Sequence, residues 1–309
     1  MACLFLLDSR REPLRRLIAH HLAATLPTEP TLLDLADHPQ SRHPHLANLL
    51  GWKRFFRDNR LTAVDAFQPD NHAWAILTAA RLAHAKLRIH LDEPLEHLSP
   101  LLRRLSLSWA DQILVTHPGL TQTLTPYLSD PACLRVVKPD CSAPRLDPEQ
   151  RAKIRHSLDP TGRRTLVLAT ARPDNHLGLL PQFWAGALAC HICSSFSLII
   201  AGRCRPAAQR RIEHWQASLD APGLVCLDPH TPFPLLAQAA DVALVSSGGF
   251  RESLRLACAA EAGIPIIAAG PDCQRLLRGH PHLHLAPADK PRHLAATLLK
   301  TLESAPIRR

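Results

Sequence analysis

The sequence predicts an α/β protein with two domains, each built on a parallel sheet that helices cover on both faces. At 309 residues the chain suits two domains of about 150 residues better than a single core. Short apolar runs alternate with amphipathic segments along its length, which is typical of parallel sheets. Residues 139–150 (PDCSAPRLDPEQ), polar and rich in proline, interrupt this alternation. We therefore expect two Rossmann-like domains facing a cleft, with ligands bound beyond the carboxyl ends of the strands.

Strands and helices alternate in order through the first half, residues 1–140. The N-terminal run CLFLL (3–7) is too short for a signal peptide or a membrane span, and charge follows at Asp8, so it indicates a strand. Further strands are expected at 31–36, 61–68, 86–93, 112–117 and 133–138. Apolar residues at helical spacing predict helices at 12–26, 45–59, 72–85, 95–110 and 119–128.

The second half repeats the pattern and forms a domain over residues 141–290. Its predicted strands are 164–171, 196–202, 224–228, 241–247, 264–270 and 282–287. Its predicted helices are 178–192, 206–219, 233–240 and 251–263. A closing amphipathic helix begins near Pro291, and we expect residues 291–309 to return toward the first domain.

Charge and cysteine usage limit the partners and the compartment. The net charge of +9 is spread without a basic tail or block, which argues against a nucleic-acid partner. Anionic ligands and a peripheral contact with the inner face of a membrane stay open. Nine scattered cysteines in apolar segments are typical of reduced thiols in a cytoplasmic protein. Cys190 and Cys193 form a single CxxC pair, which is a weak zinc signal and fits core cysteines better, so no metal is expected.

Residues that suit an anionic ligand stand at strand ends in the second half. The chain has neither GxGxxG after the first strand nor a GxxxxGK[ST] loop, which disfavours a dinucleotide site and a P-loop. Arg172 follows the strand RTLVLATA, where a guanidinium can bind a diphosphate with two hydrogen bonds. Ser247, Gly248 and Gly249 follow DVALV, where glycines allow close approach of the backbone and the next helix offers free N–H groups. The alternatives are a solvated arginine, a tight turn without a ligand and, for Glu252, a helix-capping or surface role.

The order of several segments resembles the retaining family 4 glycosyltransferases, which have the GT-B fold. In the second half these segments are VVKPD (136–140), LATARPDNHLG (168–178), SLIIAGRC (197–204), AQAADVALVSS (237–247) and EAGIPIIAAG (261–270). In the first half HAWAILTAARLAHAKLRIHLDE (72–93) and WADQILVTH (109–117) are similar to family segments. The resemblance covers about residues 60–300.

The resemblance implies a nucleotide-sugar site in the second domain and an acceptor site in the first. Arg172 and His176 would face the diphosphate with the amides of Ser247, Gly248 and Gly249. Glu252 would hold the donor sugar, Glu261 the ribose, and His90 would orient the acceptor or the sugar as a second catalytic residue. No metal or other cofactor is implied.

The chain departs from the family at two points. Leu177 stands where the family has a lysine that joins the arginine on the diphosphate. Phe250 and Cys258 occupy the positions of the family's two glutamates, while Glu252 and Glu261 lie nearby but nine residues apart.

Two functions of different classes, an enzyme and a binding protein, fit these sequence features. The first is an enzyme, a retaining hexosyl- or related glycosyltransferase that moves a sugar from a nucleotide-diphosphate donor to a glycan, lipid or small-molecule acceptor. The alternative is a catalytically eroded, glycosyltransferase-like protein that binds a ligand or an active partner. Binding of UDP, GDP or ADP and of their sugars would distinguish the two.

Overall fold

The computed structural model describes residues 2–7, 14–26, 30–34, 46–69, 73–93, 95, 100–137, 141, 144–193, 196–219, 224–246, 253–270, 273, 277 and 280–304. The chain divides into two compact units, Met1–Asp140 and Cys141–Arg309. Both units contain a parallel sheet flanked by helices, so the predicted α/β class is confirmed. Among the helices described, none has the length and apolar content that crossing a membrane requires.

The first unit contains a six-stranded sheet. Its strands are β1 (Ala2–Leu7), β2 (Thr31–Asp34), β3 (Leu61–Phe67), β4 (Lys86–Leu91), β5 (Gln112–Val115) and β6 (Leu134–Val136). Its helices are α1 (Leu14–Ala24), α2 (Leu46–Asp58), α3 (Trp74–Leu82), α4 (Pro100–Trp109) and α5 (Pro118–Leu124). The strand order is β2-β1-β3-β4-β5-β6, and all neighbours are parallel. Consecutive residues Leu4 to Leu7 are all buried, as expected for a strand covered on both faces.

The second unit contains another six-stranded parallel sheet. Its strands are β7 (Thr165–Ala169), β8 (Phe196–Ala201), β9 (Val225–Asp228), β10 (Val242–Val245), β11 (Ile266–Ala269) and β12 (Leu283–Ala286). Its helices are α6 (Pro148–Leu158), α7 (His176–Ile192), α8 (Pro206–Ala217), α9 (Phe233–Ala239), α10 (Ser253–Glu261) and α11 (Pro291–Ser304).

Strand order in the second unit identifies the edge where a ligand is expected. The order is β12-β11-β10-β7-β8-β9, and every neighbouring pair is parallel. After β7 the chain adds strands on one side, and from β10 onward it adds them on the other. The order therefore reverses between β7 and β10, and ligands of open α/β sheets bind beyond the carboxyl ends of the strands at such a reversal.

Helix α6 was not predicted, although its start has a clear signal. The side chain of Asp147 accepts a hydrogen bond from the Gln150 amide at 2.7 Å, and the Gln150 side chain binds the Asp147 amide in return. This capping box, with Pro148 in the first turn, fixes the helix start inside the stretch that the sequence marks as a connector.

Helix α11 packs on the second unit. Its buried residues Leu294, Ala295 and Leu298 join the apolar cluster that contains Leu179 and Phe183 of α7. The amphipathic pattern after Pro291 is therefore explained by packing within this unit. The expected return of residues 291–309 toward the first unit stays a prediction.

Candidate functional site

Arg172 lies in the loop that follows β7, at the edge where the strand order reverses. Its side chain is almost completely buried, and its Nε atom lies 3.7 Å from Oδ1 of Asp174. Asn175 ends this loop as the N-cap of α7, since its Oδ1 accepts a hydrogen bond from the Gly178 amide at 3.2 Å. The loop therefore presents a guanidinium and the N-terminus of a 17-residue helix at one edge, and both attract anions.

Gly178 is required by this cap. A Cβ atom at residue 178 would lie 2.6 Å from Nδ2 of Asn175, closer than van der Waals contact allows. The absence of a side chain lets Asn175 fold over the first turn of α7. The contact and the cap are local requirements of the loop that carries Arg172.

A buried polar network ties the ends of β7 and β10 to α7. Ser246, directly after β10, donates to the carbonyl oxygen of Gly178 at 2.6 Å and accepts from Nε2 of Gln182 at 3.1 Å. Oε1 of Gln182 accepts from the Ala171 amide at 3.2 Å, and Oγ1 of Thr170 donates to the Leu244 carbonyl at 3.0 Å. These bonds hold the Arg172 loop against the end of β10, which gives the site a fixed geometry before any ligand binds.

Ser246→Ala is expected to lower the free energy of unfolding by about 1–3 kcal/mol, because Nε2 of Gln182 loses its nearest acceptor in a buried position. Urea unfolding measures the change. Ser157→Ala is the matched control, since the exposed Ser157 hydroxyl bonds only a carbonyl of its own helix, and it should stay within about 0.5 kcal/mol of wild type. Equal effects of the two substitutions would show that the network does not stabilise this edge.

Arg255 is a second buried arginine at the same edge, and it was missed from the sequence. It lies in the first turn of α10 and is 3 % exposed. Its Nη1 atom donates to the carbonyl oxygen of Ala201, the last residue of β8, at 3.0 Å. The available signal was a single charge within the otherwise apolar run LRLACAA, where a cation must find a specific environment.

The other residues predicted for the donor site are placed as follows. His176 is the first residue of α7, half-buried, with its ring centroid 5.6 Å from that of Trp215. Leu177 beside it is 81 % exposed. Glu261 is exposed at the last residue of α10, about 12 Å along the helix axis from Ser253, so the structure does not bring it to Arg172. Ser247, Gly248, Gly249 and Glu252 lie outside the described residues.

His90 belongs to a buried ionic cluster in the first unit. It is the penultimate residue of β4, and its Nε2 lies 2.7 Å from Oδ1 of Asp65, which is fully buried on β3. The imidazole stacks on Phe67 with a centroid distance of 4.3 Å. Arg88 binds the other carboxylate oxygen at 2.5 Å, and the Cys3 thiol donates to it at 3.1 Å. The imidazole is therefore held in one orientation near the carboxyl end of its strand.

The cluster shifts the acidity of its members. Burial alone would raise the pKa of Asp65, but the hydrogen bonds and charges of His90 and Arg88 hold that pKa below its ordinary value. Burial and the neighbouring carboxylate raise the pKa of Cys3 to about 12. Asp65 is thus an anion and Cys3 an unreactive thiol at neutral pH.

Arg15 forms a second ion-pair cluster beyond β4. Its guanidinium contacts Asp92 through Nε and Nη2, at 3.1 and 3.0 Å to the nearest oxygens, and Glu93 at 2.9 Å. Gln68 accepts from the amides of both acidic residues at 3.1 Å, and it adopts a φ of 46° to do so. Ion pairs and hydrogen bonds therefore also fix the residues at the carboxyl edge of the first sheet.

Comparisons by sequence give no match: no protein-family model matches the chain, and a search of curated proteins also returns none. The fold must therefore be identified from structure.

Solved structures resemble the chain over almost its whole length. HepE from Anabaena, in complex with UDP and glucose, has a TM-score of 0.75 at 15 % identity. The match covers 98 % of this chain and 90 % of the HepE chain. A glycosyltransferase from Rickettsia africae has a TM-score of 0.70 at 12 % identity, with coverage of 98 % and 88 %. A UDP-N-acetylglucosamine 2-epimerase has a TM-score of 0.63 at 14 % identity, with coverage of 98 % and 87 %. The chain therefore has the GT-B class of fold, two Rossmann-like α/β domains in one polypeptide.

Proposed function

We propose that the protein binds a nucleoside-diphosphate sugar at the carboxyl edge of its second sheet and transfers the sugar to an acceptor. The observation that carries the proposal is the position of Arg172, a buried guanidinium in the loop where the strand order reverses between β7 and β10. Ligands of open α/β sheets bind at such reversal points. HepE, with which this chain shares its fold, has been crystallised with UDP-glucose, which favours UDP as the nucleotide.

Each group has a role in this proposal. Arg172 neutralises the charge that develops on the leaving diphosphate, and the N-terminus of α7 adds to that field. In line with the family resemblance, transfer retains the anomeric configuration, Glu252 holds the donor sugar, and amides of residues 247–249 approach the phosphates. His176 and Glu261 stay candidates for the nucleotide. The positive charge at the diphosphate comes from arginine, so the proposal requires no metal ion or other cofactor.

In this proposal the first unit binds the acceptor. His90, held by Asp65 and Phe67, is the candidate that orients the acceptor hydroxyl. The acceptor class stays open among glycans, lipids and small molecules, and a lipid acceptor would bring the protein to the inner face of a membrane.

Nucleotide binding tests the proposal directly. Thermal unfolding with UDP, GDP and ADP at 100 times the dissociation constant should show a gain of about 2.7 kcal/mol for one nucleotide. We expect UDP to give this gain and uridine to give much less. If none of the three nucleotides stabilises the chain, the donor site proposed here does not exist.

Product analysis separates transfer from its alternatives. Incubation with the matching nucleotide sugar, followed by NMR, should show a product with the same anomeric configuration as the donor. Release of an epimerised sugar would instead favour an epimerase, in line with the fold shared with the 2-epimerase. Binding without any turnover would favour the eroded partner protein, for which the exposed Leu177 on the first turn of α7 is the supporting observation.

A further inference from the structure

Arg255 is an unusual residue for its position. Helix α10 is short and mostly buried. The other buried residues near Arg255 on this helix are small or apolar: Leu254, Leu256, Cys258 and Ala259. Arg255 among them is 3 % exposed. Burial of a cation has a large cost in free energy unless hydrogen bonds and an opposite charge compensate for it. The groups that surround the guanidinium therefore indicate its role.

The guanidinium points to the carboxyl end of β8. Besides the hydrogen bond to Ala201, its Cζ atom lies 4.9 Å from the centroid of the Phe233 ring. Its Nη2 atom lies 3.1 Å from the point that a Cβ of Gly202 would occupy, and Cδ of Pro173 lies 3.8 Å from the same point. Gly202 has a φ of 108°, which favours glycine, so residue 202 places no side chain between the Arg172 loop and Arg255.

Buried charge in the second unit is divided between the two edges of the sheet. Among its described residues, the charged residues that are buried are Asp159, Arg172 and Arg255, and the side chain of Asp241, which precedes β10, is 4 % exposed in its pair with Arg155. Asp159 precedes β7, at the opposite edge, and accepts from Thr161 and the Arg164 amide. Both buried cations therefore lie at the edge where the carboxyl ends of β7 and β8 meet.

We propose that Arg255 is the second cation of the donor site and binds the diphosphate of the nucleotide sugar together with Arg172. This inference rests on the proposed function. A diphosphate carries charge on two groups, so two guanidinium groups at one edge can each pair with a phosphate. Arg172 and Arg255 are buried at the same edge and lie on either side of Gly202, which is the arrangement that such a ligand requires.

Titration with UDP and with uridine tests the role of Arg255. Arg255→Gln removes the charge but keeps an N–H group for Ala201. We expect its UDP affinity to fall at least tenfold and its uridine affinity to change less than threefold, because uridine lacks the diphosphate. A merely structural arginine would move both affinities together or neither, and that result would overturn the inference.

Arg155→Met is the matched control. Arg155 pairs with Asp241 at 2.9 Å at the opposite edge of the same sheet, so the same loss of charge should leave UDP affinity within twofold of wild type. If Arg255→Gln does not fold, Arg255→Met decides, since methionine suits the apolar surroundings of α10 and has neither the charge nor an N–H donor. An unchanged preference of Arg255→Met for UDP over uridine would then overturn the inference. Failure of the wild type to bind UDP, GDP or ADP would instead count against the proposed function.

Discussion

Arg172→Met is expected to weaken UDP binding at least tenfold, which corresponds to about 1.4 kcal/mol. Arg172 is 7 % exposed, so the pair of its guanidinium with a phosphate forms in a medium that screens charge less than water does. Methionine keeps an apolar stem of similar length and therefore preserves packing in the loop. Isothermal titration with UDP measures the loss, and unfolding without ligand shows whether the fold is retained.

Two further variants define the chemistry at Arg172. Arg172→Lys keeps the charge but lacks the planar fork, so its UDP affinity should lie between those of wild type and Arg172→Met. Arg210→Met removes the same charge from an exposed position on α8 and should leave UDP affinity unchanged. If Arg172→Met binds UDP within twofold of wild type, the guanidinium does not contact the diphosphate.

The fold could be predicted from the sequence because each strand and helix has a distinct periodicity. Buried parallel strands such as β7 and β8 are continuous apolar runs, and helices such as α11 have a polar and an apolar face. Periodicity does not determine which strands become neighbours. The pairing of β10 with β7, which creates the edge proposed to bind the ligand, joins residues about 75 positions apart and depends on packing of the whole unit.

The candidate site was only partly predictable for the same reason. Arg172 follows a strand end and was found, since the end of a parallel strand is visible in the sequence. Arg255 was missed because its significance depends on Gly202 and Ala201, which are distant in the chain and meet it only in the folded unit. The ribose role of Glu261 was implied by the family resemblance, but the end of α10 places it about two turns from the edge that carries Arg172.

Asp65→Asn is expected to lower the free energy of unfolding by about 3–5 kcal/mol, the usual cost of removing one partner from a buried ion pair. The carboxylate is fully buried and accepts from Arg88, His90 and Cys3. The NH2 group of an asparagine would therefore face these hydrogen-bond donors without an acceptor. Urea unfolding at neutral pH measures the loss, and a change below 1 kcal/mol would show that the cluster does not stabilise the first unit.

The pH dependence gives an independent test of the same carboxylate. Because its folded-state pKa is lowered, Asp65 binds a proton more readily in the unfolded chain. Its contribution is therefore fully present above the unfolded pKa of about 3.9 and is lost as the pH falls through the lower folded value. Stability of the wild type should fall in this acidic window more steeply than that of Asp65→Asn. Asp58→Asn, at an exposed pair with Arg57, is the control and should follow the wild-type curve within about 0.5 kcal/mol. Parallel curves for wild type and Asp65→Asn would mean that this carboxyl has the same pKa in both states.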